Sequence, residues 1–303
     1  LQYSGNIGNA HTTEPTLQKM NAISMDYTQN KRGVSSIHNI GVNYKYAFSK
    51  ASSLRFIADY ANYKSDGNGF ANATPEVTTS SYGRYDVAGA RLTYSTNAKW
   101  GNFSTGVFTS AMTNNGGYSY NSEEEDYKTH EMLYGAFASY SKQIKKFFVQ
   151  LGLRAEADKR RLESQEEGVF VDDTEWKIFP NLVVNRELTE NSSIGLSMGQ
   201  NISRPTYSNL NPSIDYYDAI SYRVGNPQLR PSITSNIKLA YNIGNLMTSV
   251  AYNHSKDNII ELPFWKDKDI NNKNIEWRSI NFDKSSAIVA TAVYSYNLGP
   301  IQG

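Results

Sequence analysis

Segments in which apolar and polar residues alternate recur along the chain and predict β-strands. In KFFVQLGLRAEAD, which begins at residue 146, every second residue from Phe147 is apolar, and the residues between them are polar or charged except Phe148 and Gly152. SLRFIADY and ITSNIKLAYNI repeat the pattern, and side chains two apart share one face of a strand. The alternation therefore predicts an outward apolar set, Val149, Leu151, Leu153, Leu54, Phe56, Leu239 and Ile237, and an inward polar set, Arg154, Glu156, Arg55, Asp59 and Lys238.

The connections between these segments differ at the two ends of the predicted sheet. Short turns lie near residues 49, 99, 143, 190, 244 and 298, whereas longer polar stretches cover 64–81, 114–127, 164–174, 205–230 and 263–274. Outer-membrane barrels have short turns at one end and longer loops at the other. The sequence predicts an all-β, antiparallel up-and-down transmembrane barrel portion of 11 or 12 strands, without parallel pairs.

A soluble β-sandwich is the alternative fold, since its strands also alternate in polarity. Segments such as 128–142, 145–161 and 275–297 are longer than the five or six residues typical of sandwich strands. That length favours strands that cross a membrane at a tilt. Tyrosines near the predicted strand ends fit the aromatic girdles of such barrels, although tyrosine is also a good strand residue in any sheet.

Composition and charge exclude several functions. The hydrophobic fraction is 39%, the net charge is +1 and there is no cysteine. A near-neutral chain has no basic field with which to attract nucleic acid, and without thiols it has neither disulfides nor thiolate catalysis. No apolar run approaches the roughly 18 residues of a transmembrane helix.

Motifs typical of enzymes and metal sites are absent or fall in the wrong context. GLSMG at 195–199 matches G-x-S-x-G, but it lies inside an alternating strand, so Ser197 is not expected to be a nucleophile. The four histidines lack the spacing of metal ligands. Carboxylate runs at 123–126 and 172–173, with Asp267 and Asp269, are either solvated or bind calcium. The sequence predicts no enzyme, no cofactor and no assigned metal site.

One stretch carries a resemblance to a known family. FPNLVVNREL, SRPTYSNLNP and YRVGNPQLRPS lie within residues 179–232. They resemble the barrel of the TonB-dependent receptor superfamily, in particular the outer-membrane β-barrel family proteins, except that Ser232 stands where glutamate is more frequent. The positions that carry the likeness are Phe179, Pro180, Arg204, Pro205, Tyr207, Leu210, Asn211, Pro212, Gly225, Asn226, Pro227, Leu229 and Pro231.

The prolines between Arg204 and Ser232 end one strand and delay the next, because proline cannot donate to a β-ladder. We expect this segment to be a stiff extracellular loop. It either contacts a ligand through its aromatic and arginine side chains or only folds onto the barrel rim. The candidate ligand-binding residues, including one from a neighbouring loop, are Tyr207, Tyr216, Tyr217, Tyr222, Arg223 and Trp265.

The resemblance implies an outer-membrane receptor that imports a nutrient with energy passed through TonB. It implies that residues 1–303 are part of a single barrel domain of 22 strands, with the plug domain and the barrel ends outside this chain. The implied partners are the outer-membrane bilayer, TonB through the plug, and an outer-membrane lipoprotein or larger complex. Two alternatives stay open: a structural or assembly-associated barrel without transport, and a soluble adhesin or carbohydrate-binding sandwich.

Overall fold

Almost every described residue of the chain lies in a β-strand. The computed structural model describes residues 2–20, 23–72, 77–120, 123–164, 168–210, 214–216, 221–265, 275–298 and 301–302. Among these residues, no helix has the length and apolar character needed to cross a membrane.

Twelve long strands and two short ones form one sheet. The long strands are β1 (Gln2–Met20), β2 (Ile23–Ala47), β3 (Ser52–Asn72), β4 (Val77–Ala98), β5 (Gly101–Tyr120), β6 (Glu123–Ile144), β7 (Phe147–Ser164), β8 (Gly168–Thr189), β9 (Ser192–Ser203), β12 (Ser232–Ile243), β13 (Leu246–Trp265) and β14 (Ile275–Tyr294). Between β9 and β12 lie α1 (Tyr207–Leu210), β10 (Ile214–Tyr216) and β11 (Ser221–Val224), and a separate small pair is β15 (Asn297–Leu298) with β16 (Ile301–Gln302).

The long strands form an antiparallel meander, as the sequence predicted. The order in the sheet is β1 to β9 in sequence, then β12, β13, β14, β11 and β10. A sandwich would need two packed sheets, so the sandwich alternative is wrong. The predicted absence of parallel pairs is also wrong, because β11 pairs in parallel with residues 275–278 of β14. A strand supplied by a long connection can approach an edge in either direction, and alternation within the strands does not determine which.

The predicted division of these side chains between two opposite faces is confirmed, while the assignment of one face to lipid and the other to the lumen stays a prediction. Leu151 pairs with Leu182, which pairs with Met198, and Met198 pairs with Ile237, so these four form one row on one face. Leu151 is 50% exposed, whereas Glu156 on the opposite face of the same strand is 3% exposed. We call the face that carries Leu151 the outer face and the face that carries Glu156 the inner face. The apolar band is the part of the outer face nearest the short turns, and it includes Leu151, Leu182, Met198 and Ile237.

Five of the six predicted short turns are confirmed, and three predicted loops are wrong. The sixth turn, near residue 298, falls next to residues outside the described part. Turns or bends lie at 48–51, 99–100, 145–146, 190–191 and 244–245. The predicted loops at 64–81, 114–127 and 164–174 are largely strand, because β3 to β8 continue through them. Polar side chains on both faces do not prevent ladder formation where both faces meet water. The segment 205–230 is a long connection, and residues 266–274 lie outside the described part.

Large aromatic side chains lie over glycines on the inner face. A Cβ added to Gly135 would overlap the ring of Phe108, and one added to Gly106 would overlap Phe137. The Arg91 guanidinium carbon lies 4.5 Å from the centroid of the Phe137 ring. The missing side chain thus gives each ring room to lie flat across the neighbouring strand.

Candidate functional site

The described residues of the connection from β9 to β12 fold back onto the inner face, and we call the described residues between 204 and 231 the docked segment. Arg204, at its start, reaches the wall strand β7. The Arg204 Nη2 donates to Glu156 Oε2 at 2.7 Å, and its Nε donates to Asp158 Oδ2 at 3.1 Å. Glu156 and Asp158 are buried, at 3% and 9% exposed. One guanidinium therefore compensates two buried carboxylates and fixes the point at which the segment leaves the sheet.

Burial and charge act against each other at this contact. Burial alone would lower the pKa of the Arg204 guanidinium, but its hydrogen bonds and attraction to Glu156 and Asp158 raise it above the ordinary value. Burial, and then the nearby Asp158 carboxylate, raise the pKa of Glu131. Arg204 thus stays charged while Glu131 is harder to ionise than a solvated glutamate.

A small cavity of about 70 Å³ separates the docked segment from the wall. The Asp158 Oδ1 atom, which is buried, has no hydrogen-bond partner among the described residues. Charged side chains surround most of the cavity, and two prolines and a leucine of the docked segment close it. Its lining is Glu131, Asp158, Arg160, Asp173, Glu175, Arg204, Pro205, Leu210 and Pro231.

The middle of the docked segment is organised by Asn226 and Leu229. The Asn226 backbone N–H donates to the Asn209 carbonyl at 2.6 Å, and its side-chain Nδ2 donates to the Ser279 carbonyl of β14 at 3.1 Å. Leu229 is fully buried at 0% exposed. Its carbonyl accepts a hydrogen bond from Arg160 Nη1 of β7 at 2.8 Å. These contacts connect β7 and β14, which are not neighbours in the sheet.

Both described side chains of β11 that were predicted to bind a ligand have partners within the protein. The Tyr222 hydroxyl donates to Glu276 Oε2 at 3.1 Å, and the ring is 5% exposed. Arg223 donates from Nε to Glu261 Oε2 at 2.9 Å and from Nη2 to Asn209 Oδ1 at 2.6 Å. Tyr222 and Arg223 therefore attach the segment to β13 and β14.

The end of the docked segment is held by a reciprocal contact with β14. The Arg230 N–H donates to Asn281 Oδ1 at 2.8 Å, while Asn281 Nδ2 donates back to the Arg230 carbonyl at 2.8 Å. The Arg230 side chain also pairs with Asp257 of β13 at 2.7 Å. Asp257 has a positive φ of 53°, a backbone conformation that aspartate tolerates better than most residues.

A second cluster on the inner face was not found from the sequence. Tyr63 and Tyr85 pack with ring centroids 5.7 Å apart, and Tyr85 is directly paired with Asn114. Asn114 Oδ1 and the Tyr127 hydroxyl are buried, with no hydrogen bond of good geometry to the described residues. Burial is the main cause that raises the pKa of Tyr127. We call Tyr63, Tyr85, Asn114 and Tyr127 the aromatic cluster; its members come from four strands, so sequence spacing does not reveal it.

The other predicted site residues are distributed along and around the docked segment. Leu210, Gly225 and Pro231 are buried with it, Pro205 and Pro227 are half-buried, and Phe179 of β8 is buried under the Arg154 guanidinium at 4.5 Å. Pro180 is on the exposed outer face, and Trp265 is 67% exposed at the end of β13. Tyr207 lies in α1 and Tyr216 in β10, while Asn211, Pro212 and Tyr217 lie outside the described residues.

The motifs set aside in the sequence stay outside the site. Ser197 pairs with Lys238 in the middle of the β9–β12 ladder, so it is not on a strand-to-helix elbow. Within the described part of the chain, no group of three or more histidine or carboxylate side chains could hold a metal ion. Asp267 and Asp269 lie outside that part.

Comparison with known proteins gives one family and a set of similar folds. The profile of the outer membrane protein β-barrel family matches residues 38–301. No curated protein sequence matches the chain.

Solved structures with a similar fold include three receptors. The ferric yersiniabactin uptake receptor FyuA from Yersinia pestis has a TM-score of 0.60 at 14% identity, over 91% of this chain and 41% of that protein. The hemophore receptor HasR from Serratia marcescens has a TM-score of 0.51 at 12% identity, over 96% and 56%. The ferric preacinetobactin receptor BauA from Acinetobacter baumannii has a TM-score of 0.51 at 9% identity, over 89% and 43%. The chain thus spans between 41% and 56% of these proteins.

Proposed function

Because the chain belongs to the outer membrane protein β-barrel family, we propose that it forms part of the wall of a receptor that binds a nutrient on the extracellular side and imports it with energy supplied through TonB. The proposal includes a single barrel domain, completed by strands and a plug beyond this chain. The fold shared with FyuA, HasR and BauA supports it. Receptor activity consists of binding and passage, and no bond is made or broken.

The docked segment is the observation that carries the proposal. It lies on the inner face, where a ligand that crosses the barrel would pass, and Arg204 holds it to β7 through two buried carboxylates. The aromatic cluster is on the same face. Aromatic rings give a ligand large contact area at low entropic cost, since few rotatable bonds must be fixed. We propose that the exposed Tyr63 ring of the aromatic cluster contacts the ligand before the docked segment does.

A structural barrel without transport is the second candidate function. Burial of Tyr222 and Leu229 favours it, because these motif residues stabilise the segment's own fold and present no surface to a ligand. An outer-membrane lipoprotein partner would fit either function.

Uptake in whole cells distinguishes the two functions. The full-length protein would be expressed in cells with and without TonB, and accumulation of radiolabelled iron–siderophore, haem and oligosaccharide probes would be measured. We expect TonB-dependent accumulation of one probe class. Uptake that is absent for every probe, with normal protein levels at the surface, would establish the structural role.

Two sets of substitutions then locate the contact surface. Tyr63→Ala should weaken uptake at low probe concentration, and surface labelling would confirm that the amount of barrel is unchanged. Alanine at Tyr216, Tyr217 and Arg223 tests the loop predicted from the sequence. Unchanged uptake in this triple variant would assign the docked segment to the scaffold.

A further inference from the structure

A row of polar side chains ends the apolar band on the outer face of β9, β12, β13 and β14. Gln200 pairs with Ser235, Ser235 pairs with His254, and His254 pairs with Ser286. Gln200 Nε2 donates to Ser235 Oγ at 3.0 Å, and His254 Nδ1 lies 2.9 Å from Ser286 Oγ. The next row towards the turn is Tyr252 with Ile288. The polar row thus borders the apolar band on its extracellular side, and the exposed Phe282 lies beyond it on the same face.

Two lysines lie directly opposite each other just beyond this row. Lys256 of β13 pairs with Lys284 of β14, and both side chains are exposed. Neither forms a salt bridge with a residue that the structure describes. Of the neighbouring carboxylates, Asp257 is paired with Arg230, and Asp283 follows the alternation to the other face. Like charges directly opposite destabilise a ladder unless an anion lies between them.

An apolar groove of about 600 Å³ lies on the turn side of the polar row. Leu151, Leu153, Leu182, Met198 and Ile237 line it, and all five belong to the outer face. Gln200 and Ser235, which also line the groove, lie at its extracellular end. The groove therefore joins an apolar surface to hydrogen-bonding groups, and Lys256 and Lys284 lie one and two strands further along the sheet.

We propose that this surface binds an anionic lipid of the outer leaflet. Its phosphate lies between Lys256 and Lys284, its polar linkage contacts the Gln200–Ser235 pair, and an acyl chain occupies the groove. An acidic soluble protein would satisfy the lysines but leave the groove unfilled, since the groove lies within the apolar band. A lipid satisfies both, because it carries charge and hydrocarbon in the order in which the outer face presents cations and apolar side chains.

Lipid binding to the full-length protein in uncharged detergent tests the proposal. The probes are phosphatidylglycerol, phosphatidylcholine and inorganic phosphate, measured by native mass spectrometry and by thermal unfolding. We expect phosphatidylglycerol to bind more tightly than phosphatidylcholine, and K256Q/K284Q to weaken its binding about thirty-fold, given two cations near the membrane surface. Binding of phosphatidylcholine should not change.

The matched control removes two lysines from the inner face, as K45Q/K238Q, and should leave lipid affinity unchanged. A groove variant, Met198→Trp, should weaken both lipids because it fills the space for the acyl chain. The effect of K256Q/K284Q on the unfolding temperature should also change sign with the lipid. Relative to the unsubstituted protein, the variant should unfold at a higher temperature in uncharged detergent and at a lower temperature in phosphatidylglycerol.

Three results would overturn the proposal. One is equal affinity of the protein and K256Q/K284Q for phosphatidylglycerol. Another is an equal loss of affinity for phosphatidylglycerol in K45Q/K238Q, which would indicate a general effect of charge. The third is a rise in unfolding temperature with inorganic phosphate as large as that with phosphatidylglycerol. That result would assign the lysines to a free anion and remove the role of the groove.

Discussion

The turn-side and loop-side halves of β6 differ in the polarity of their outward side chains. In its turn-side half, residues 134–144, the outward residues Ala136 and Ala138 are exposed and apolar. In its loop-side half, residues 123–133, the outward residues Lys128 and His130 are exposed and polar, while inward Tyr127 and Thr129 are buried. Burial alternates in both halves, because the pleat dictates it. Alternation of hydrophobicity is seen only where one face meets lipid.

The largest expected effect is on the docked segment of the loop-side half. Arg204→Ala leaves Glu156 and Asp158 buried without this cation, which should cost about 3–5 kcal/mol. We expect faster amide hydrogen exchange in residues 221–231 and a lower free energy of unfolding. Arg204→Lys keeps the charge but not the two hydrogen bonds of the guanidinium. Its free energy of unfolding should therefore lie between those of Arg204→Ala and the unsubstituted protein. Unchanged exchange in both variants would show that other contacts suffice to hold the segment.

The next prediction compares the outer faces of the two halves directly. Leu151→Arg places a charge in the apolar band and should cost about 2–4 kcal/mol near the midplane. Asn115→Glu also adds a charge on the outer face of the loop-side half, between Arg84 and Lys128, and there we expect a cost of less than about 0.5 kcal/mol. Denaturant titration in lipid vesicles measures both. Equal costs would mean that the apolar band extends through both halves.

The third prediction concerns the inner face where the two halves meet. Gly135→Ala forces a Cβ against the Phe108 ring, and overpacking of this kind costs about 1–3 kcal/mol. Phe108→Leu in the same protein should recover part of the loss. Gly41→Ala is the control, since an added Cβ there would meet only ordinary contacts at 3.8 Å or more. The free energies of unfolding of the unsubstituted protein, Gly135→Ala, Phe108→Leu and the double variant form a double-mutant cycle. Additive losses would refute the steric explanation.

The smallest expected effect is a pH dependence in the loop-side half. The pKa of Glu131 is raised in the folded protein, so ionisation of this carboxyl costs more there than in the unfolded chain. Its contribution to stability is therefore fully present below the unfolded pKa and is lost as pH rises through the folded one. Glu131→Gln should raise the unfolding temperature by about 1 or 2 °C at pH 8, and the difference should vanish near pH 4. A lower temperature at pH 8 would show that attraction to Arg160 and Arg204 dominates.

The turn-side half could be predicted from the sequence because lipid imposes a chemical difference between its faces. Leu151, Leu153 and Glu156 sufficed to orient β7, and the short turns fixed the strand order. The loop-side half lacks that constraint, so the sequence predicted loops at 64–81 and 114–127, where strands β3 to β6 continue. Hydrogen bonding along a ladder is independent of side-chain polarity, and no pattern in these stretches records it.

The candidate site was predicted only in part for the same reason. The prolines correctly indicated an interruption after Ser203, and the resemblance drew attention to Arg204, Asn226 and Leu229. Their partners Glu156, Arg160 and Ser279 lie between 48 and 69 positions away in the chain. Such pairs form only after the strands have taken their places, so local sequence shows the segment but not where it docks.

The docked segment also constrains the order in which the molecule folds. Each hairpin of the wall joins neighbours in sequence, whereas Asn226 and Arg230 bind residues of β14 that are 53 and 51 positions further along the chain. Contacts between residues far apart in the chain lose chain entropy before they gain favourable interactions, so they form late. Strands β12, β13 and β14 must be in place before the segment has a surface to bind. Protection of the Arg230 amide, which donates to Asn281 of β14, should therefore be the last to develop during refolding, after the β12–β13 and β13–β14 ladders.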